Sequence, residues 1–328
     1  MKRTTSAFVA TVPTANPNYK KWGDFYTISA IISSGMFMPC LITGPSGNGK
    51  TTTVMESCAD HGREMIRVQI SPETDENDLI GGYQLIDGNT VFVDGPVITA
   101  MRTGSVLLLD ELDRGSNQIM CLQGIMEGTP FLIKKTGEVI SGAPGFTIWA
   151  TANTKGRGSP DGLYSAASII DDAFLERFVA CFNVVWAPAD VEIDILTSFF
   201  ESQVKQTFYL KMPDRKKLVT YLVKWAGQCR TAADNGMGVA ISTRKLLDVI
   251  RMTVALECDR SAVEKCTNRF DTLDQSAVTA SYNAIRPSDF GEAKTPGKVK
   301  PVDPDSEEAR MARVARAMER HAAVTSRT

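Results

Sequence analysis

The chain has 328 residues, 43% hydrophobic and 23% charged, with a formal net charge of −2. That length supports a large core and two domains, and that composition excludes a fibre or a disordered chain. The near-zero charge excludes a bulk attraction to nucleic acid or anionic membrane and leaves only local patches open.

Residues 1–18, rich in Thr, Pro and Asn, predict a flexible N-terminal arm. From Asp24 as an N-cap, Phe25, Ile28, Ile31 and Ile32 recur at helical spacing until Gly35 offers a C-cap. An apolar strand then runs into LITGPSGNGKTTTV, and TTVMESCADHG carries the helix after it. Four further apolar runs read as buried strands: 65–70, 105–111, 146–153 and 182–186. With helices between them, SNQIMCLQGIMEG among these, the pattern predicts an α/β domain over 19–188 built on a parallel sheet covered on both faces. YQLIDGNTVFV, with a D-G turn signal, and FLIKKTGEVI interrupt the alternation and predict two projecting β-hairpins. Beyond residue 188 helical periodicity takes over and predicts a helical lid over 189–286. Residues 287–328 read as a Pro/Gly/Lys-rich linker followed by a C-terminal helix with Met311, Val314, Ala315, Met318 and Ala322 on one face, which either packs on the lid or docks a partner.

Gly44, Gly49, Lys50 and Thr51 fill every fixed position of G-x-x-x-x-G-K-[ST], with Pro45, Ser46, Gly47 and Asn48 inside the loop and Thr52 after it. Such a loop wraps backbone N–H groups around phosphates at the positive end of a helix. Lys50 then suits the β/γ-phosphates, and the Thr51 hydroxyl suits Mg²⁺. In SVLLLDELDRG the apolar strand ends on Asp110 and Glu111, at the sheet edge where ligands collect. Asp110 suits the Mg²⁺ shell and Glu111 the activation of a water attacking the γ-phosphate. FTIWATANT ends in Asn153, placed to orient that water or touch the γ-phosphate. Arg177, before the last strand, and Arg244, at the start of a lid helix, offer guanidinium groups for the charge on the transferring phosphoryl; the rivals are Arg114, Lys155 and Arg157. The chain has no N-K-x-D motif for guanine and no LSGGQ, which leaves ATP as the nucleotide.

The seven cysteines (40, 58, 121, 181, 229, 258 and 266) are scattered, without a C-x-x-C pair, and read as buried residues of a reducing compartment. His61 and His321 stand too far apart in sequence to suggest a His/Cys metal centre. The first apolar run falls short of the about 7–15 residues of a signal peptide, and no run reaches the about 18 of a membrane span. The expectation is a cytoplasmic protein with no membrane partner.

The order of phosphate loop, acidic pair, Asn, Arg and helical lid resembles the AAA+ superfamily. GREMIRVQISPETDENDLIGGYQLIDGNTVFVDGP, LLLDELDRG, IMCLQGIMEGTPFLIKKTGEVI, ATANTKGRGSPDG and AFLERF resemble its MoxR-like branch, and most closely CobS, the ATPase subunit of aerobic cobaltochelatase. The resemblance is dense over 36–186 and looser in the lid. It implies an ATP-driven, hexameric ring with each site at a subunit boundary. It assigns Gly44–Thr52 as Walker A, Asp110 and Glu111 as Walker B, Asn153 as sensor 1, Arg177 as a finger acting in trans and Arg244 as sensor 2. The hairpins at 83–93 and 131–140 become the helix-2 and pre-sensor-1 inserts. The implied partners are a von Willebrand factor A-type protein and, for a chelatase in cobalamin biosynthesis, a large subunit that inserts cobalt. Sensor 2 reads Ser242-Thr243-Arg244 where relatives often carry S-P-R.

Three functions fit these residues. The first is an ATPase ring that remodels a partner protein. The second is a nucleic-acid translocase with Lys134, Lys135, Lys155 and Arg157 around its pore, against which the neutral charge and the lack of a DNA-binding module count. The third is an assembly scaffold that needs nucleotide but not turnover.

Overall fold

A computed structural model describes residues 3–4, 8–158, 167–204 and 212–287. In chain order its elements begin with β1 (Arg3–Thr4), α1 (Phe25–Ser34), β2 (Cys40–Thr43), α2 (Lys50–Asp60), β3 (Met65–Gln69), α3 (Glu76–Leu79), β4 (Gly81–Ile86), β5 (Asn89–Asp94), α4 (Pro96–Thr103) and β6 (Val106–Asp110). Two 3₁₀ turns, Leu112–Arg114 and Asn117–Leu122, lead to α5 (Gln123–Met126), β7 (Phe131–Ile133), β8 (Glu138–Ile140), β9 (Thr147–Ala152), α6 (Asp172–Leu175) and β10 (Ala180–Asn183). The remaining helices are α7 (Ala189–Gln203), α8 (Met212–Asp234), α9 (Thr243–Leu256), α10 (Asp259–Thr267) and α11 (Thr272–Ile285).

The predicted apolar runs form one five-stranded sheet in the order β10-β2-β9-β6-β3, parallel throughout. Val106, Leu107, Leu108 and Leu109 are fully buried on both faces of β6, which is why that strand reads as a continuous apolar run rather than an alternation. The sheet separates two apolar layers: Ile28, Ile32, Val54 and Trp149 on one side, and Val97, Ile98, Leu109 and Phe174 on the other. In α1 Phe25, Ile28 and Ile32 are buried and Gly35 closes the helix with φ 66°, but Ile31 is only half-buried and Asp24 makes no side-chain cap.

Both hairpins form. β4 and β5 pair antiparallel around Asp87-Gly88, both with positive φ as a type I′ turn requires, and β1 adds to β5 in parallel. β7 and β8 pair around 134–137. The two hairpins are joined to each other: the Tyr83 hydroxyl donates to the Lys135 carbonyl (2.8 Å) and the Lys135 ammonium to the Gly81 carbonyl (2.9 Å).

Four expectations need correction. The last strand runs over 180–183 rather than 182–186, because the Val184 and Val185 carbonyls are taken by the Asn48 side-chain amide, and Val185 is exposed. The helix expected over SNQIMCLQGIMEG is mostly a 3₁₀ turn followed by the short α5. Residues 8–18, read as a flexible arm, lie against the body: Thr11 bridges Met65, and the Asn16 N–H donates to Glu56 (2.9 Å). Cys181, on edge strand β10, is exposed, while Cys40, Cys58, Cys229 and Cys258 are buried.

The helices α7 to α11 pack around Phe200, Trp225 and Tyr282, with the Trp225 N–H donating to the Val278 carbonyl (3.0 Å). The C-terminal helix and nearly all of the linker read from the sequence lie outside the described residues. Among the described residues no helix is long and apolar enough to cross a membrane.

Candidate nucleotide site

β2 ends at Thr43 and α2 starts at Lys50, so 44–49 turn tightly over the C-terminal edge of the sheet. Gly44 has φ 143°, and a Cβ there would stand 2.0 Å from the Val184 carbonyl oxygen; at Gly47 (φ 80°) it would meet Ser242 at 2.8 Å. Side chains are therefore excluded at both positions, by the segment just past β10 in one case and by the lid in the other. Lys50 is buried, and its ammonium donates to the carbonyls of Gly44 (2.7 Å) and Pro45 (2.8 Å) and to Asn153 Oδ1 (3.1 Å). Burial pushes its pKa down to about 8, against the opposing pull of Asp113 and Asp110.

Asp110 closes β6 as the sequence predicts. Its Oδ1 accepts from the hydroxyls of Thr51 (2.7 Å) and Thr151, and its Oδ2 accepts from Arg67 Nε (3.0 Å) and Nη2. Burial alone would raise this carboxyl; the hydrogen bonds from Thr151, Thr51 and Arg67 outweigh it and hold the group below the usual range. A hydroxyl and an ionised carboxylate side by side are the hard oxygen donors that Mg²⁺ prefers, so these residues fit the ion.

Glu111 stands next in left-handed backbone, φ 59° and ψ 45°. For a non-glycine residue this costs about 1–3 kcal/mol and persists only where the surroundings enforce it. Here the Glu111 N–H donates to Thr151 Oγ1 (3.1 Å), and the carboxylate takes Gln69 Nε2 (3.1 Å) and pairs with Arg114 (3.2 Å).

β9, which carries Asn153 just past its end, lies between β2 and β6 in the sheet. That placement brings the amide between the phosphate loop and the acidic pair, and its Oδ1 meets Lys50 as described. Arg244 reaches the same place from the lid: its N–H donates to the Gly47 carbonyl (3.3 Å), and Ser242 caps α9. A cavity of about 310 Å³ is lined by Ser46 to Thr52, Arg67, Gln69, Asp110, Glu111, Asn153 and Arg244. Gly44 and Pro45 do not line it and touch the site only through their carbonyls, which accept from Lys50.

Arg177 does not line this cavity. It pairs instead with Glu127 (2.8 Å) outside it, just after α6. Of the rivals, Arg114 touches Glu111, Arg157 bridges to Ile169, and Lys155 is exposed.

Residues 39–178 match the family described as AAA domain (dynein-related subfamily). Protein NorQ of Paracoccus denitrificans is 30% identical over 218 residues, covering 66% of this chain and 73% of NorQ. The chain belongs, with NorQ, to the AAA+ ATPases. An uncharacterized protein of Staphylococcus haemolyticus is 28% identical over 75% of this chain and 88% of its own length. Midasin of Giardia intestinalis is 32% identical over 47% of this chain, which spans only 3% of midasin's length. Membership makes the protein an AAA+ ATPase, and the likeness to NorQ agrees with the MoxR-like reading. None of these relatives is named as a cobaltochelatase subunit.

Several residues of this AAA site escaped the sequence reading. Asp113, 1% exposed, accepts from the N–H groups of Asn153 and Thr154 and from the Thr154 hydroxyl. Arg67 and Gln69 sit two apart on β3 and serve one acid each. Asp113 was visible only as a third carboxylate in LDELD; Arg67 and Gln69 carried no local signal. A second cavity, of about 190 Å³, adjoins the phosphate loop through Gly47, Asn48, Gly49 and Thr52 and is walled by Tyr19, Trp22, Ile195, Phe199 and Leu247. Its apolar walls and the polar Asn16 and Asn18 suit a flat heteroaromatic base beside a phosphate site.

Proposed function

We propose that the chain is the ATP-hydrolysing, Mg²⁺-dependent subunit of a homo-oligomeric ring, hexameric as in the family it resembles, and that the ring remodels a partner protein. The observation that carries the catalytic part is the convergence of Lys50, Thr51, Asp110, Glu111, Asn153 and Arg244 on one cavity. Mg²⁺ held by Thr51 and Asp110 would supply positive charge to the phosphate oxygens. Lys50 binds the β/γ-phosphates, Asn153 fixes the attacking water, and Glu111 accepts its proton at the carboxylate. Arg244 ties phosphate binding to lid position. Arg177, outside the chain's own cavity, is assigned to the site of the neighbouring subunit.

The remodelling part is supported by the two joined hairpins, which present apolar side chains to solvent: Leu85 is 78% and Val139 62% exposed. Scattered apolar residues are ordinary, but two adjoining inserts that carry them suit a protein partner. A von Willebrand factor A-type partner, and a cobalt-inserting large subunit in the manner of CobS, are finer readings supported by sequence resemblance. A nucleic-acid translocase is less favoured, because Lys135 is tied between the hairpins. The test is Glu111→Gln, expected to bind ATP without turnover and to retain a partner in ATP-dependent pull-down. Unchanged hydrolysis would remove the catalytic assignment, and function retained in cells without hydrolysis would favour the scaffold.

A further inference from the structure

β3 is an edge strand, and its register with β6 sets Arg67 opposite Leu108 and Gln69 opposite Asp110. Arg67 therefore reaches diagonally to the carboxylate that ends β6. Asp110 offers about four lone-pair positions, and all are engaged: two hydroxyls on Oδ1 and two guanidinium N–H groups on Oδ2.

A divalent cation that takes Asp110, directly or through its water shell, needs one of those positions back. The partners differ in their ability to yield. Thr51 is itself a ligand candidate for the ion, and Thr151 is buried inside β9. Arg67 is about half exposed at the sheet edge, on a long side chain with several rotatable bonds, and it brings a positive charge into the space the ion would use.

We propose that Arg67 is a competitor of the metal: its guanidinium and a divalent cation contend for Asp110, so that Arg67 sets the metal concentration at which the site holds its nucleotide. This rests on the Mg²⁺–nucleotide reading above. It gives Arg67 a positioning role, acting through Asp110 rather than on the reacting phosphate.

The experiment uses the full chain with saturating ADP, titrated with Mn²⁺ as the spin-active substitute for Mg²⁺, free Mn²⁺ being followed by electron paramagnetic resonance. In Arg67→Ala and Arg67→Gln the midpoint should fall about five-fold or more, the scale of one lost charged competitor near the surface. Arg67→Lys, which keeps a cation, should stay near the wild type. In an Asp110→Asn background, Arg67→Ala should produce no further shift. A midpoint unchanged or raised in both Arg67→Ala and Arg67→Gln, with folding verified by circular dichroism, overturns the proposal while leaving the nucleotide reading intact. Wild-type protein that takes up no Mn²⁺ with ADP overturns both.

Discussion

Asp113 and Asn153 are bound through the backbone: the Asp113 Oδ2 accepts the Asn153 N–H at 2.9 Å and, at the same distance, the N–H of Thr154. Because Asp113 lies in the 3₁₀ turn that starts after Glu111, one carboxylate fixes the end of β9 relative to Glu111. Asp113→Ala leaves two N–H groups without this acceptor, at about 1–3 kcal/mol for each donor that stays buried. Urea unfolding should show that loss, and the turnover number for ATP should fall roughly 10- to 100-fold through misplacement of Asn153. Asp113→Asn keeps an acceptor oxygen and should recover part of both.

The pKa of Lys50 leads to a pH dependence with a definite sign. Its folded value, about 8, lies below the 10.5 of a free lysine. Between those values the unfolded chain holds the proton more firmly, so the contribution of Lys50 to stability rises with pH from about 8 to 10.5; below 8 the burial penalty is fully present. Nucleotide binding should move the opposite way, because the free site loses its cation as pH rises through 8. ATP affinity measured by fluorescence titration from pH 7 to 9.5 should weaken above 8, and Lys50→Met should show weak binding with little slope.

Glu192 and Arg230 form a buried bidentate pair in the lid, at 2.9 and 2.8 Å, and Glu192 also accepts the Thr243 hydroxyl (2.6 Å). Thr243 precedes Arg244, so this pair anchors the start of α9 over the phosphate loop. Glu192→Ala strands a buried guanidinium and should cost about 3–5 kcal/mol in denaturant unfolding. A variant that unfolds at the wild-type midpoint would show the pair to be dispensable.

What the sequence made legible was local. The phosphate loop, the acidic strand end and the D-G hairpin each carry their chemistry within a dozen residues, and apolar runs mark strands buried on both faces. Arg67 and Gln69 were not legible, because their meaning comes from the register of β3 against β6. Glu192, Arg230 and the wall of Tyr19, Trp22 and Phe199 depend on how the lid and the N-terminal segment meet the sheet. Arg177 shows the limit from the other side: the chain places it outside its own cavity, paired with Glu127, so the finger role proposed for it requires a neighbouring subunit.

The proposed ring makes a prediction about mixtures. Lys50→Ala removes a subunit's own phosphate grip but leaves its Arg177 for a neighbour, and Arg177→Ala does the reverse. Each variant alone should be inactive in ATP hydrolysis. In a ring with head-to-tail interfaces, a site is complete when an Arg177→Ala subunit faces a Lys50→Ala neighbour, which happens at about one interface in four in an equal random mixture. Mixing the two inactive proteins and allowing exchange should therefore restore roughly a quarter of wild-type turnover. If the mixture stays inactive although mixed rings form, as verified by mass spectrometry, Arg177 does not act across the boundary; if Arg177→Ala alone is fully active, the residue has no part in hydrolysis and its pairing with Glu127 is structural.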